Sequence, residues 1–180
     1  MKSSLFIAFL LASITTLAQP LTDIHQASRT GNLTLVQQLI AKDSSLANAQ
    51  DSRSFTPLIL AVYNNQEAVV KYLLKANAQV DAQDRSGNTA LMGAIFKGYA
   101  HQVKLLVEAG ANVNLKNYNS ATALTFAATF GGAAIAKLLL EAGANVNTRD
   151  SRGKTPLDHA VMQDNQALIA LLKKHAQIRK

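Results

Sequence analysis

Apolar and polar positions along this chain repeat with a period of 33 residues. Segments beginning at Asp51, Asp84, Asn117 and Asp150 fall into register, and within each the apolar residues return at helical spacing, every three or four positions. Thr56, Thr89, Thr122 and Thr155 stand where a hydroxyl caps a first helix, and Pro57 and Pro156 follow at a first-turn position that needs no amide proton. Asn65, Gly98, Gly131 and Asp164 recur where that helix must break, at residues that tolerate a left-handed backbone. A second helix follows. Its inner side carries Leu73/Leu74, Leu106/Val107 and Leu139/Leu140, and Asn77, Gly110 and Gly143 stop it. The pattern predicts stacked helix pairs sharing one continuous apolar core.

Written out at this period, the segments read DSRSFTPLILAVYNNQEAVVKYLLKANAQVDAQ, DRSGNTALMGAIFKGYAHQVKLLVEAGANVNLK, NYNSATALTFAATFGGAAIAKLLLEAGANVNTR and DSRGKTPLDHAVMQDNQALIALLKKHAQIRK. They resemble the ankyrin repeat, whose typical form is D-x-x-G-x-T-P-L-H-x-A-A-x-x-G-H followed by V-V-x-x-L-L-x-x-G-A-D-V-N. A further unit lies upstream when Ile24, Ala27, Gly31, Val36 and Leu39 are matched to Leu58, Ala61, Asn65, Val70 and Leu73, with Asp23 as its capping residue. The resemblance implies an all-α ankyrin repeat solenoid of five helix-turn-helix repeats, over about 21–50, 51–83, 84–116, 117–149 and 150–180, joined by short β-hairpin-like loops. Departures from the pattern are Ala90 and Ala123 in place of proline, and Ile59, Met92, Thr125 and Asp158 in place of histidine. Lys173, Lys174, His175, Arg179 and Lys180 read as a polar cap on the last unit.

Composition adds an address. Residues 1–18 place Lys2 before an apolar run from Leu5 to Leu11 and end on Thr16-Leu17-Ala18, the pattern of a secretory signal peptide. The apolar run is too short to span a bilayer, and no other segment is expected to span one. Residues 19–180 then form a single domain, and with 48% hydrophobic and 16% charged residues the chain shows no low-complexity linker. Cleavage after Ala18 removes Lys2 and lowers the formal charge of +7 by one. The chain has no cysteine, so disulfides and thiolate metal sites are excluded. Export without disulfides points to a bacterial periplasm, with secretion to the exterior as the alternative.

The pattern offers little to catalysis. His25, His101, His159 and His175 are scattered along the chain, with no pair at metal-ligand spacing. The glycines of the Ala109–Asn112 and Ala142–Asn145 stretches follow helices instead of opening them, so they cannot hold a phosphate on a helix N-terminus. No enzyme activity, cofactor or metal is expected. Lysines and arginines are spread along the chain, which argues against nucleic acid as the partner. In the ankyrin family the loop tips and the exposed side of the first helices grip other proteins. By position that face carries Arg53, Phe55, Tyr63, Phe96, Lys97, Tyr118, Phe130, Arg152 and Met162, an apolar stripe flanked by cations that suits a protein interface. The expected protein is a monomer without stable membrane insertion after signal cleavage, binding a protein of unknown identity. Resemblance to small exported bacterial ankyrin proteins implies support of a periplasmic enzyme or neutralisation of a toxin; an effector that binds host proteins is the alternative.

Overall fold

The computed structural model describes the backbone of residues 19–178 and the side chains of 24–177; the leader assigned to residues 1–18 lies outside the described residues. Helices come in consecutive pairs: α1 (Gln19–Thr30) with α2 (Leu33–Lys42), α3 (Pro57–Tyr63) with α4 (Glu67–Lys75), α5 (Ala90–Phe96) with α6 (Ala100–Glu108), α7 (Ala123–Phe126) with α8 (Gly132–Glu141), and α9 (Pro156–Met162) with α10 (Gln166–Ile178). First helices pack on one another in the order α1, α3, α5, α7, α9, while α2 packs on α4 and α8 on both α6 and α10. The result is a two-layer all-α solenoid. Among the described residues there are no strands, and one isolated bridge joins Gln83 to Thr89.

Local chemistry places the helix starts. Thr56, Thr89, Thr122 and Thr155 each accept the amide of the residue three ahead, satisfying one orphan donor of the first turn. Thr125 and Asp158, which stand in place of the family's histidine, return the bond to the backbone amides of Thr122 and Thr155 and so complete capping boxes. Asp23 does not cap a helix. The helix α1 begins upstream of it, at Gln19, so Asp23 lies inside the helix. The longer connection after α2 is taken up by a 3-10 turn, Ser44–Asn48, started by Asp43, whose carboxylate accepts the Ser45 amide at 3.0 Å.

The loop tips are tight turns. Asp51, Asp84, Asn117 and Asp150 each exchange backbone bonds with the following residues, and each side chain accepts two amides two and four residues on. Successive tips are tied by Arg85 N–H to the Arg53 carbonyl at 3.2 Å, Tyr118 to Ser86 at 3.1 Å and Ser151 to Asn119 at 2.9 Å. The core runs between the layers. Leu58, Leu73, Leu91, Leu106, Leu124, Leu139, Leu168 and Leu172 are fully buried, each such side chain contributing about 1.5–3 kcal/mol of burial free energy.

The fourth first-helix, α7, departs from the others. Asn65, Gly98 and Asp164 take the positive φ that ends their helices, but in the Asn117 segment Gly132 does so at φ 73° and Gly131 remains right-handed at φ −98°. Residues Ala127–Gly131 form a π-helical turn, closed by the Gly132 amide on the Ala127 carbonyl. The wider turn draws Gly131 into the helix and moves the left-handed residue one place on. Gly131 itself presses against the preceding unit: a Cβ there would lie 2.9 Å from Ile95 Cγ2. The stretch Ala123–Glu141 meets the length and composition of a membrane span, with mean hydropathy 1.7, contrary to the expectation that no such segment follows the leader. It is broken at Gly132, and half of it is buried in the stack.

Candidate functional site

The first-helix face carries aromatic rings whose exposure is set by the neighbour one period away. Tyr63 lies across the next first helix because Gly93 offers no side chain there; a Cβ at Gly93 would stand 2.6 Å from Tyr63 Cε2. One period on, Gly93 is replaced by Phe126. Phe96, the equivalent of Tyr63, therefore stands outward, 49% exposed. It meets Phe130, itself 54% exposed, edge to face at 5.2 Å between ring centroids, the geometry that aromatic quadrupoles favour. Phe126 completes this group at 5.9 Å from Phe130.

A second group sits nearer the first units. Phe55 and Tyr63 lie 6.2 Å apart, both half-buried against the core, and the Arg53 guanidinium caps the Phe55 ring at 5.1 Å. Burial, and then the nearby Asp84 carboxylate, push the Tyr63 hydroxyl above its ordinary range. Phe55 and Tyr63 are thus largely spent on packing within the stack, and the exposed aromatic surface is narrower than the expected stripe. At the tip that carries the exposed Tyr118, Ala121 is buried.

Between the Asn117 and Asp150 segments the same face opens into a recess of about 310 Å³. Phe126, Phe130, Thr125 and Ala121 line one part, and Asp150, His159 and Arg152 another. His159 Nε2 lies 2.8 Å from Asp150 Oδ2, and its Nδ1 lies 3.3 Å from the Thr129 hydroxyl. Burial alone would raise the Asp150 carboxyl, but bonds from His159 and from the Lys154 and Arg152 amides outweigh it and hold the group below its ordinary value. Asp158 faces away from this pair and serves the α9 cap, taking the Thr155 amide and hydroxyl at 2.8 Å each.

The family model described as ankyrin repeats (3 copies) matches residues 24–117 and 103–180. The chain belongs to the ankyrin repeat family. Comparison with curated proteins gives no match. Ankyrin repeats are protein–protein interaction modules and are generally non-catalytic.

Within this ankyrin stack the structure gathers Phe96 and Phe130 into one exposed pair, beside Lys97. Tyr118 and Met162 are exposed at 72% and 65%, and Arg152 is exposed at the rim of the recess. Arg53, Phe55 and Tyr63 form their own cluster. Sequence reasoning missed Phe126, whose signal was its place four residues before Phe130, on the same face of a helix. It also missed Val161, 56% exposed next to Met162, and the Asp150–His159 pair, which are nine residues apart. Among the described residues no three acidic or histidine side chains gather as a metal site would require.

Proposed function

We propose that this chain is a non-catalytic adaptor of five ankyrin repeats that binds another protein through its first-helix face, in a bacterial periplasm. The observation that carries the reading is the exposed Phe96–Phe130 pair, two large rings held edge to face beside a recess and flanked by Lys97 and Arg152. Contiguous exposed apolar surface with a polar rim marks an interaction site. The leader-like residues 1–18 and the lack of cysteine support the address. Such an adaptor serves either to support a periplasmic enzyme or to neutralise a toxin, since both need the same binding face.

The test is affinity capture from a periplasmic extract with the chain from Gln19 as bait and a Phe96→Ser/Phe130→Ser variant as control. Both side chains are half-exposed, so the variant keeps its helical signal. A partner retained by the native chain and lost by the variant supports the reading and, by its identity, separates enzyme support from toxin neutralisation. Equal retention by both removes the face from the binding role.

A further inference from the structure

Resting on the reading of this face as a protein-binding surface, we propose that the recess between the Asn117 and Asp150 segments is an anchor pocket for one aromatic side chain of a partner segment that carries acidic residues beside it. Its volume of about 310 Å³ lies at the lower end of the range for small-ligand cavities, the scale of a single large side chain and not of an extended surface. Phe126 and Phe130 stand tilted at 56° to each other on one wall, so an incoming ring can meet a face of one and an edge of the other.

The electrostatics select the flanking residues. The acid lining the recess, Asp150, is already engaged: Oδ1 takes the Arg152 and Lys154 amides at 2.9 Å each, and Oδ2 takes His159 at 2.8 Å. The Arg152 side chain, by contrast, is exposed at the rim with no hydrogen bond or ion pair among the described residues. Lys97, beside Phe96, is likewise exposed and without an ion partner among the described residues. A carboxylate next to the anchoring ring therefore meets the free Arg152 cation and no free acid among the residues that line the recess, with Lys97 a further cation on the same face. A planar anionic membrane surface would satisfy the cations but could not enter the recess.

The pocket also depends on the π-helical turn. Ala127–Gly131 carries Thr129 and Phe130, and the Thr129 hydroxyl is held between the Thr125 carbonyl at 2.9 Å and His159 Nδ1 at 3.3 Å. These contacts fix the wall from both units, so an occupant finds the ring of Phe130 already oriented.

The experiment is a titration of isotope-labelled protein with a synthetic peptide holding one phenylalanine between glutamates, followed through backbone amide resonances. Parallel arms use the same peptide with alanine for phenylalanine, the same with lysines for glutamates, and vesicles of phosphatidylglycerol and phosphatidylcholine. The expected result is saturable movement of the Thr129, Phe130, Ser151 and Arg152 amides, with the alanine and lysine peptides and the Arg152→Glu and Phe126→Ala variants each at least about tenfold weaker. Arg152 is exposed, so its variant folds even where Phe126→Ala is loosened. No movement at millimolar peptide, equal affinity of the alanine peptide, or movement caused by the vesicles instead would overturn the pocket. If a captured partner needs Phe96 and Phe130 but is indifferent to Arg152→Glu and Phe126→Ala, the pocket falls and the binding face stands; if neither pair matters, both fall.

Discussion

Replacing Gly93 with alanine sets two effects of similar size against each other. In a helix interior the change gains about 0.8–1.0 kcal/mol of intrinsic propensity. In this stack the new Cβ would lie 2.6 Å from Tyr63 Cε2 and 3.1 Å from Cδ2, while ordinary carbon contacts settle near ~3.5–4.0 Å, so the ring must withdraw by roughly 1 Å. Tyr63 has little room, since it is packed against the core and against Phe55 at 6.2 Å, and forcing atoms into such a site costs about 1–3 kcal/mol. The steric effect wins: Gly93→Ala is expected to destabilise the protein by about 0–2 kcal/mol, whereas in a Tyr63→Ala background it stabilises by about 1 kcal/mol. The coupling of about 1–3 kcal/mol is read from urea unfolding of the four proteins by far-ultraviolet circular dichroism. A gain of stability in both backgrounds alike would refute the claim that Tyr63 lies on Gly93, and with it the reason that Tyr63 is withdrawn while Phe96 stands out.

Other expected outcomes follow the same contacts. Gly132→Ala places a side chain at φ 73° and ψ −177°, an extended positive-φ conformation open essentially to glycine alone that costs roughly 1–3 kcal/mol, so its urea midpoint should fall while the open space around it rules out a clash with neighbouring units. Leu106→Ala empties a fully buried core site and should cost about 2–5 kcal/mol in the same assay. The Asp158 carboxyl is held below its ordinary value by the Thr155 amide and hydroxyl. Its stabilising effect is therefore complete above the unfolded value of about 3.9 and is lost as pH falls through the lower folded value. Asp158→Asn, which keeps an acceptor oxygen but no titration, should flatten the acid limb of a stability-against-pH curve below about pH 4; an unchanged limb would count against the capping role.

Those features that depend on a residue and its near neighbours were legible in the sequence. Capping threonines, the stops at Asn77, Gly110 and Gly143, and the buried leucines stand where their chemistry requires. The helix break in the Asn117 segment was not, because Gly131 and Gly132 are chemically equivalent choices. The π-helical turn that carries the positive φ to Gly132, and the close approach of Gly131 to Ile95 in another unit, have no local signature. The aromatic face shows the same limit. Tyr63 and Phe96 stand one period apart and read alike along the chain, yet Tyr63 lies over Gly93 and is half-buried, while Phe96 faces the unit that carries Phe126 in place of that glycine and stands exposed. Asp23 suits a cap by type, but the preceding residues already form the helix. The recess needs two segments at once, since Asp150 and His159 bound it from one and Phe126 and Phe130 from the other.

The most direct measurement is site-specific photocrosslinking in cells that make the protein, with a benzophenone-bearing phenylalanine in place of Phe130 or, as control, in place of Lys137 on the second-helix layer. Lys137 is well exposed, so both positions present the reactive group to solvent. The account predicts a discrete crosslinked protein from position 130 and none from position 137. The same crosslinked protein from both positions, or from 137 alone, would contradict a binding role for the first-helix face.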